Sequence, residues 1–481
     1  MRAWIKAVGA VALMGLLTAC SNDKLNEDET TFHLRSLNLV EDSPTLQIDL
    51  DDTTLSSTTY GGATSFSAGH PGEHTLSFSA LLPADLDDDD DDDETETPVS
   101  GASAHTFLAG TEYTVVAYGR LDDIHTYLIE GLDQREDVDD DKLVLQFTHA
   151  SPDTPAVDVY VTAAKAGLAS RYYVDTLSIT ETTTPLELSL VRDGTDLNDD
   201  STLTANVIVE LMAAGTSDVL YRSTSMTFSE QSRVLMAIAD TNGPTSIATK
   251  LLIVGSGESR DARDGAALKF VHLSHDTPAL DLTIGSGLAD PLAQNIGFRQ
   301  STDYVSIDKG ENGMIALPAG APSPYVFFEE FTATVGGHYT AYAIGPASEV
   351  DALVISADAR SVPTQASFRF LHGAGSLEDS ELLDLYLRLP GGTVDFEDDD
   401  TVASVSSLAY QNPSSQFTLE AGDYDVYFYF AGTSRLVMGP TRFHVDNGDV
   451  KTLVLLDNES GGLELLPVSD AEAGGRTADS S

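Results

Sequence analysis

Leu143–Val161 reads LVLQFTHASPDTPAVDVYV, and the pattern returns at Leu268–Ile284 as LKFVHLSHDTPALDLTI. In both copies an apolar run ends at a histidine, a Ser-x-Asp-Thr-Pro segment follows, and apolar and polar residues then alternate. Proline fixes φ, and Ser, Thr and Asp side chains bond to nearby backbone N–H groups, so the middle segment favours a turn. The alternation that follows is typical of a half-buried strand. Each copy therefore predicts a corner of the form strand–turn–strand.

Two further copies extend the pattern along the chain. Phe368–Leu387 reads FRFLHGAGSLEDSELLDLYL, in which Ser376–Glu381 replaces the proline turn, and Phe32–Leu50 reads the fainter FHLRSLNLVEDSPTLQIDL. The copies align three kinds of signature residue: a polar residue near the end of the first strand, a turn proline and an aspartate on the second strand. These residues are Asn38, His149, His272 and His372; Pro44, Pro155 and Pro278; and Asp158, Asp281 and Asp384.

The spacing of the copies predicts the domain organisation. They recur at roughly 100–120 residues, which is the size of a domain and too long for a solenoid repeat. About seven short β-rich segments fall in each interval, as expected of an antiparallel sandwich. We therefore predict an all-β chain of four tandem immunoglobulin-like antiparallel β-sandwich domains. The predicted units are residues 31–133 (with an acidic insertion at 85–97), 142–256, 266–360 and 366–467, followed by a flexible tail at 468–481.

The corner also carries a resemblance to a known family. His149–Val161, HASPDTPAVDVYV, resembles the hallmark of the domain-of-unknown-function 4397 (DUF4397) family, which is found in bacterial exported proteins and lipoproteins. A later segment of that family is similar to Ala421–Val426. The family has no assigned catalytic residues, so the resemblance implies an architecture and leaves the function open.

The signature histidines have two interpretations. A histidine at a strand end most often donates to a carbonyl or to a nearby carboxylate, here the aligned Asp158, Asp281 or Asp384. In that structural interpretation, replacing His149 by Asn, the residue that the first copy has at this position, costs little stability. The alternative is a ligand or metal site built once per domain, although one histidine per domain supplies too few ligands for zinc.

The N-terminal residues resemble a bacterial lipoprotein signal. Arg2 and Lys6 precede an apolar run, and Leu17-Thr18-Ala19-Cys20 resembles the lipobox, which predicts a signal peptide at 1–19 and lipidation of Cys20. Residues 20–30 then form the lipidated cysteine and a polar tether. Ser21 after the cysteine suggests the outer membrane by resemblance, with the body facing either the periplasm or the exterior. The alternative is an ordinary signal peptide with an incidental cysteine.

Runs of acidic residues interrupt the β-rich segments. Asp87–Asp93 is the longest, and DGTDLNDD at Asp193–Asp200 is a shorter one. Dense like charge favours a solvated loop over a packed strand. Calcium would take such oxygen ligands, but no run matches a calcium-loop motif, and Asp193, Asp196, Asn198 and Asp200 come nearest. Three interpretations stay open: a charged solvent face, diffuse divalent binding, or a defined calcium site. No other cofactor is predicted.

Charge and motifs exclude several function classes. The 481 residues carry 25 Lys+Arg against 77 Asp+Glu, a formal net charge of −52, which argues against nucleic-acid binding because phosphate contacts need basic clusters. No G-x-S-x-G, H-E-x-x-H, phosphate loop or C-x-x-C is present, so we expect no enzyme. Cys20 is the only cysteine, and its lipidation would leave no thiol for a disulfide.

Two function classes therefore remain, both anchored to the membrane through the N-terminal lipid. The first is a structural or scaffolding envelope lipoprotein. The second is an adhesion or ligand-binding surface protein with a protein or glycan partner, calcium-assisted in one variant. The only tryptophan, Trp4, lies in the predicted leader, so a sugar platform would have to use tyrosine.

Overall fold

The computed structural model describes residues 30–51, 53–83, 96–99, 103–131, 138–191, 202–241, 249–285, 291–321, 323–356, 358–377, 381–397 and 401–471. Within these ranges the regular structure is β-strand apart from one 3-10 turn, Ala164–Ala166. The strands form four two-layer sandwiches, so the predicted all-β sandwich class is confirmed. We call them domains 1 to 4.

Domains 1 and 2 hold the first nineteen described strands. In domain 1 these are β1 (Phe32–Val40), β2 (Leu46–Leu50), β3 (Thr53–Thr58), β4 (Ser67–Gly69), β5 (Gly72–Leu81), β6 (Glu96–Pro98), β7 (Ser103–Phe107), β8 (Glu112–Arg120) and β9 (Asp123–Glu130). In domain 2 they are β10 (Lys142–His149), β11 (Val157–Ala163), β12 (Leu168–Leu177), β13 (Leu186–Ser189), β14 (Thr204–Ala213), β15 (Val219–Arg222), β16 (Met226–Ser229), β17 (Ser232–Asp240), β18 (Thr249–Ile253) and β19 (Gly257–Ser259).

Domains 3 and 4 each have eight described strands, one more than the seven that the sequence predicts. In domain 3 these are β20 (Ala266–His272), β21 (Leu280–Ile284), β22 (Ala293–Ile296), β23 (Val305–Ile307), β24 (Gly310–Pro318), β25 (Phe327–Ala333), β26 (His338–Ile344) and β27 (Asp351–Ser356). In domain 4 they are β28 (Ala366–His372), β29 (Leu383–Arg388), β30 (Val405–Leu408), β31 (Phe417–Leu419), β32 (Gly422–Phe430), β33 (Leu436–Val445), β34 (Val450–Asp457) and β35 (Leu463–Ser469).

Each domain pairs its first strand in parallel with its last-but-one long strand, a feature that the sequence does not predict. The parallel pairs are β1 with β8, β10 with β17, β20 with β26, and β28 with β34; the other described pairs are antiparallel. A parallel pair needs a long crossover, and here the chain passes through the second layer before it returns. We call the layer with this pair the parallel-pair sheet and the opposite layer the hairpin sheet.

The predicted corner joins the two layers of each sandwich. In domain 2 the first strand of the corner, β10, lies in the parallel-pair sheet, and the second, β11, lies in the hairpin sheet. Val157, Val159 and Val161 are buried in the core, as their alternation predicts, and they pack with Leu145 and Phe147 of the opposite layer. The corner therefore sets the order of the layers in every copy.

The central strands of the parallel-pair sheets are buried on both faces. In β10 every residue after Lys142 is buried, and in β20 all seven residues are buried. One face covers the core of its own domain, whereas the other packs against the next domain. Such near-continuous burial along a strand is typical of sheets that are covered on both faces.

Two apolar layers therefore join the domains in pairs. The 1/2 layer, between domains 1 and 2, contains Leu37, Leu39, Val116, Tyr118, Ile129, Ala150, Leu235, Ala237, Ala239 and Leu252. The 3/4 layer, between domains 3 and 4, contains Val271, Leu273, Tyr342, Ile344, Ile355, Leu371, Val454, Leu456 and Val468. Polar contacts pin each pair: Tyr127 and Thr148 share a 2.6 Å hydrogen bond across the first layer, and Lys269 Nζ donates to the Ser469 carbonyl at 2.6 Å across the second.

The two domain pairs also contact each other. The segment between domains 2 and 3 is fixed to domain 2, where the Arg222 amide donates to Asp261 at 2.8 Å. Between domains 3 and 4, Arg360 Nη1 reaches back to domain 1 and donates to the Ser43 carbonyl at 2.6 Å. The four domains thus form a connected assembly.

Leu371→Ala tests the 3/4 layer. Leu371 is fully buried there, and removing a buried leucine side chain costs about 2–5 kcal/mol of unfolding free energy. The matched control is Leu436→Ala in the same domain, because Leu436 is 47% exposed and should change stability by no more than ~0.5 kcal/mol. Denaturant unfolding measures both variants. Equal effects would contradict the assignment of Leu371 to a packed layer.

Candidate functional site

The signature histidines form a repeated backbone clamp. His149 Nδ1 accepts the Ser151 amide hydrogen at 3.3 Å, and Nε2 contacts the Pro155 carbonyl at 3.1 Å. His272 makes the same two contacts with Ser274 and Pro278, at 3.3 and 3.1 Å. Because Nδ1 accepts, the hydrogen must lie on Nε2, which defines a neutral imidazole that bonds both ends of the turn.

The environment of the clamp keeps the imidazoles neutral. His149 and His272 are fully buried, and burial lowers the pKa of both below the ordinary value. Protonation would also place a hydrogen on Nδ1, where the backbone amide already donates. The arrangement therefore holds the turn closed and is chemically unsuited to shuttling protons at neutral pH.

Asn38 performs the same task in domain 1. Its Oδ1 accepts the Val40 amide at 3.0 Å, two residues ahead, as Nδ1 does in the histidine copies. Its Nδ2 donates to Ser43 Oγ at 3.0 Å. Like the neutral imidazole, the amide side chain of Asn38 carries one hydrogen-bond acceptor and one donor a short distance apart. This explains why Asn can occupy the position.

His372 has half of the clamp. Its Nδ1 accepts the Ala374 amide at 3.4 Å, whereas Nε2 is buried and has no partner among the described residues. The turn is longer here, and residues 378–380 of it lie outside the described ranges. Burial lowers the pKa of His372 to about 4.

The signature aspartates do not pair with the histidines. Of the two partners that the sequence allows for histidine, His149 and His272 take the carbonyl. Asp281 instead accepts two backbone amides, from Asn295 on the edge strand β22 at 2.7 Å and from Gly320 in the turn after β24 at 2.8 Å.

Asp384 and Asp158 hold the same place in their domains. Asp384 accepts the amides of Ser407 at 2.9 Å and Gly432 at 2.8 Å. Asp158 accepts the Gly215 amide at 2.9 Å and a hydrogen bond from the Thr176 hydroxyl. Each aspartate therefore braces its strand against the edge strand on one side and the hairpin turn on the other.

The corner is locked in two alternating ways that sequence reasoning missed. In domains 2 and 4, Asp240 and Asp457 lie two residues beyond the partner of the signature histidine and accept from the turn residues Ser151 and Ser376. In domains 1 and 3 that position is Gly119 or Gly345, with φ of 98° and 111°. The signal was available in the sequence, because the Gly–Asp–Gly–Asp order can be aligned.

Glycine is needed at those two positions. A Cβ on Gly119 would lie 2.7 Å from the Asp123 carbonyl oxygen, and a Cβ on Gly345 would lie 2.7 Å from that of Glu349. The close turn also presents an amide to the corner. In domain 1 Asp42 accepts the Leu121 amide at 2.7 Å, and the equivalent Asp276 in domain 3 accepts the Ala347 amide at 2.8 Å.

The corners of domains 1 and 2 meet beside an open cleft of about 960 Å³, which we call the acidic cleft. Its carboxylates come from both domains: Glu41, Asp42, Asp122, Asp123, Asp153 and Asp240. Arg120 bridges Glu41 and Asp42. Burial and the neighbouring carboxylates raise the pKa of Glu41, against the opposing effect of Arg120.

The acidic cleft can concentrate cations, but it is not a defined metal centre. Among the described residues no three His, Cys, Asp or Glu side chains are grouped so that they could hold a metal ion. The equivalent cleft between domains 3 and 4 is smaller, about 260 Å³, and is lined by His275, Ser376 and Asp457 among others. Outside the described residues lie the four residues of the calcium hypothesis, Asp193, Asp196, Asn198 and Asp200, together with Asp87–Asp93 and Cys20.

Comparison with known proteins identifies the repeated pattern. The family model described as "Domain of unknown function (DUF4397)" matches residues 32–160 and 284–386, which confirms the resemblance that the sequence predicts. The two matches end at Tyr160 and Tyr386, each two residues after a signature aspartate. No curated protein matches the sequence.

Two solved structures give distant matches. The Bacillus anthracis TIE protein is 10% identical, with 90% of this chain and 70% of that chain covered and a TM-score of 0.16. The product complex of SpuA, a multi-modular glycogen-degrading pneumococcal virulence factor, is 9% identical, with 85% and 37% covered and a TM-score of 0.16. At this TM-score neither match bears on the function of the chain.

The histidine clamp predicts acid sensitivity above the pH at which carboxylates titrate. The folded pKa of His272 lies below its unfolded value near 6.5, so the unfolded state binds more protons as the pH falls through 6.5 and the folded state loses stability. Denaturant unfolding at pH 7, 6 and 5 measures the slope. In His272→Asn the slope should fall by up to about 1.4 kcal/mol per pH unit. An unchanged slope would show that His272 does not contribute.

Substitutions of His149 separate the clamp from a binding role. His149→Asn keeps the acceptor for the Ser151 amide and should cost about 1 kcal/mol of unfolding free energy, whereas His149→Ala leaves that buried amide unpaired and should cost about 2–3 kcal/mol. His125→Asn, at a position 54% exposed, is the matched control. Equal losses for the two His149 variants would argue against the clamp. Loss of a binding partner with an unchanged melt would favour a ligand site.

Proposed function

Since the chain carries DUF4397 domains, we propose that it is a structural protein of the bacterial cell envelope: a non-catalytic, lipid-anchored scaffold built of β-sandwiches. The observation that carries this proposal is the pair of apolar layers between domains. They commit the outer sheet faces to internal packing. A molecule built in this way is suited to keeping a fixed shape and spacing, which is the task of a scaffold.

The anchor in this proposal is Cys20. Lipidation at the lipobox-like site would supply three acyl chains, and each buried CH₂ contributes about 0.8 kcal/mol to membrane binding, so attachment would be stable. Ser21 favours the outer membrane, with the body on the periplasmic or the outer side. In the part of the chain that the structure describes, no helix is both long and apolar enough to cross a bilayer.

Exposed tyrosines favour a second candidate, an adhesion or ligand-binding role. Tyr172 and Tyr173 on strand β12 are 45% and 46% exposed. On the outer face of the domain 4 hairpin sheet, Phe396 is 42% exposed and covers Tyr386 and Tyr429, which are only 6% and 9% exposed, so Phe396 is the ring accessible to a ligand there. Aromatic rings on a rigid sheet face are the side chains on which a sugar would stack. A glycan or protein partner is the expected ligand class.

A glycan array and pull-down from envelope extract distinguish the two candidates. The scaffold predicts stoichiometric envelope proteins in the pull-down and no saturable glycan. A glycan that binds saturably, survives added salt and is lost in Tyr172→Ala/Tyr173→Ala would establish the adhesion role instead. Turnover on a hydrolase panel would contradict both.

Cys20→Ala tests the anchor. Without the sulfur no lipid can be attached, so we expect no incorporation of labelled palmitate and release of the protein from the membrane fraction. Ser21→Ala is the matched control and should remain labelled and membrane-bound. Membrane fractionation and mass spectrometry of the N-terminal peptide measure both. A Cys20→Ala protein that is processed and retained like the control would overturn the proposal of a lipid anchor.

A further inference from the structure

A second cleft, of about 390 Å³, lies where the two domain pairs meet, and we call it the junction site. Its lining comes from five separate parts of the chain: Tyr60 of domain 1, Lys250 and Glu258 of domain 2, Arg260 in the next segment, His338 of domain 3, and Arg360 before domain 4. It is therefore complete only when all these parts are assembled.

Basic side chains dominate the junction site, although the whole chain carries a formal charge of −52. Lys250 Nζ and Arg260 Nε share one carboxylate, that of Glu258, at 2.8 and 2.7 Å. The Arg360 guanidinium is held by the Ser43 carbonyl at 2.6 Å. Asp358, the other carboxylate of the lining, is exposed. Three cations thus face two carboxylates.

Two hydrogen-bonding groups in the junction site have no partner among the described residues. They are Nη1 of Arg260 and Nε2 of His338, and both atoms are buried. His338 is 9% exposed as a whole residue. Because buried donors are nearly always satisfied in folded proteins, two such groups on one cleft point to a ligand that supplies acceptors.

The surroundings make positive charge costly in the absence of an anion. Lys250 is 1% exposed, and burial together with Arg260 and Arg360 lowers its pKa against the opposing effect of Glu258. Burial and Arg260 lower the pKa of His338 to about 4, so its imidazole is neutral at pH 7 and can donate from Nε2 in the appropriate tautomer. The Tyr60 ring lies beneath Lys250 Nζ at 4.5 Å and Arg360 at 5.4 Å.

We propose that the junction site binds a small, free tetrahedral oxyanion, such as inorganic phosphate or a small phosphate or sulfate ester, between Arg260, His338 and Arg360. The fork of N–H donors on a guanidinium matches the oxygens of such an anion. Lys250 acts as a point charge and imposes no such directional match. The volume admits a small molecule, and the net charge of the chain repels polyanions. Binding would also fasten domain pair 1/2 to domain pair 3/4.

Titration calorimetry of the full chain with sodium phosphate, at ionic strength held constant with sodium chloride, tests the proposal. We expect saturable binding of one phosphate per chain and a weakening of at least tenfold in Arg260→Gln. The matched control is Arg435→Gln, because Arg435 is 64% exposed and pairs with Glu381 on domain 4. Absence of saturation, or binding that survives Arg260→Gln, would overturn the proposal.

A second measurement needs no variant of Arg260. Phosphate should shift the imidazole resonances of His338, assigned with His338→Gln, and raise the pKa of that group, whereas the buried His149 in domain 2 should not respond. No shift at saturating phosphate would overturn the proposal. So would a response to phosphatidylglycerol vesicles without one to inorganic phosphate, since the ligand would then be a lipid headgroup.

Discussion

The structure depends on one constraint: the central strands of each parallel-pair sheet are apolar on both faces. A single sandwich buries only one of these faces. The other must be covered by a neighbour, and Leu37 with Leu235 and Val271 with Leu371 show that the neighbour is the next domain in the chain. At roughly 25 cal/mol per Å² of apolar surface removed from water, such layers are worth more than the few polar contacts that pin them. The pairing of domains therefore follows from the apolar residues on both faces of the parallel-pair sheet.

The corner converts that constraint into a fixed geometry. An imidazole or amide closes the turn, and an aspartate fixes the strand that follows, so the two layers leave the corner in a set direction in every domain. The lock beside the corner then alternates between glycine and aspartate along the chain. Domains 1 and 3 are thus alike, and so are domains 2 and 4. The structural repeat is a pair of sandwiches.

Much of a single domain could be predicted from its sequence, because the relevant interactions are local. The alternation of Val157–Val161 placed a half-buried strand, and the turn residues placed the corner. The unbroken burial of β10 could have been inferred from LVLQF. The sequence around this strand does not, however, indicate which domain covers its second face. The brace between Asp281 and Gly320 and the junction site, which brings Tyr60 next to Arg360, join residues far apart in the chain. Periodicity carries no information about such contacts.

The two-sided strands also bear on how such a gene can lengthen or shorten. Loss of one sandwich would expose the apolar sheet face of its partner domain to solvent, and an exposed apolar face of this kind promotes aggregation. Loss or gain of a complete domain pair would leave no apolar sheet face uncovered. Tandem duplication should hence be tolerated when it adds two domains at a time. Relatives whose strands are apolar on both faces should contain an even number of sandwich domains.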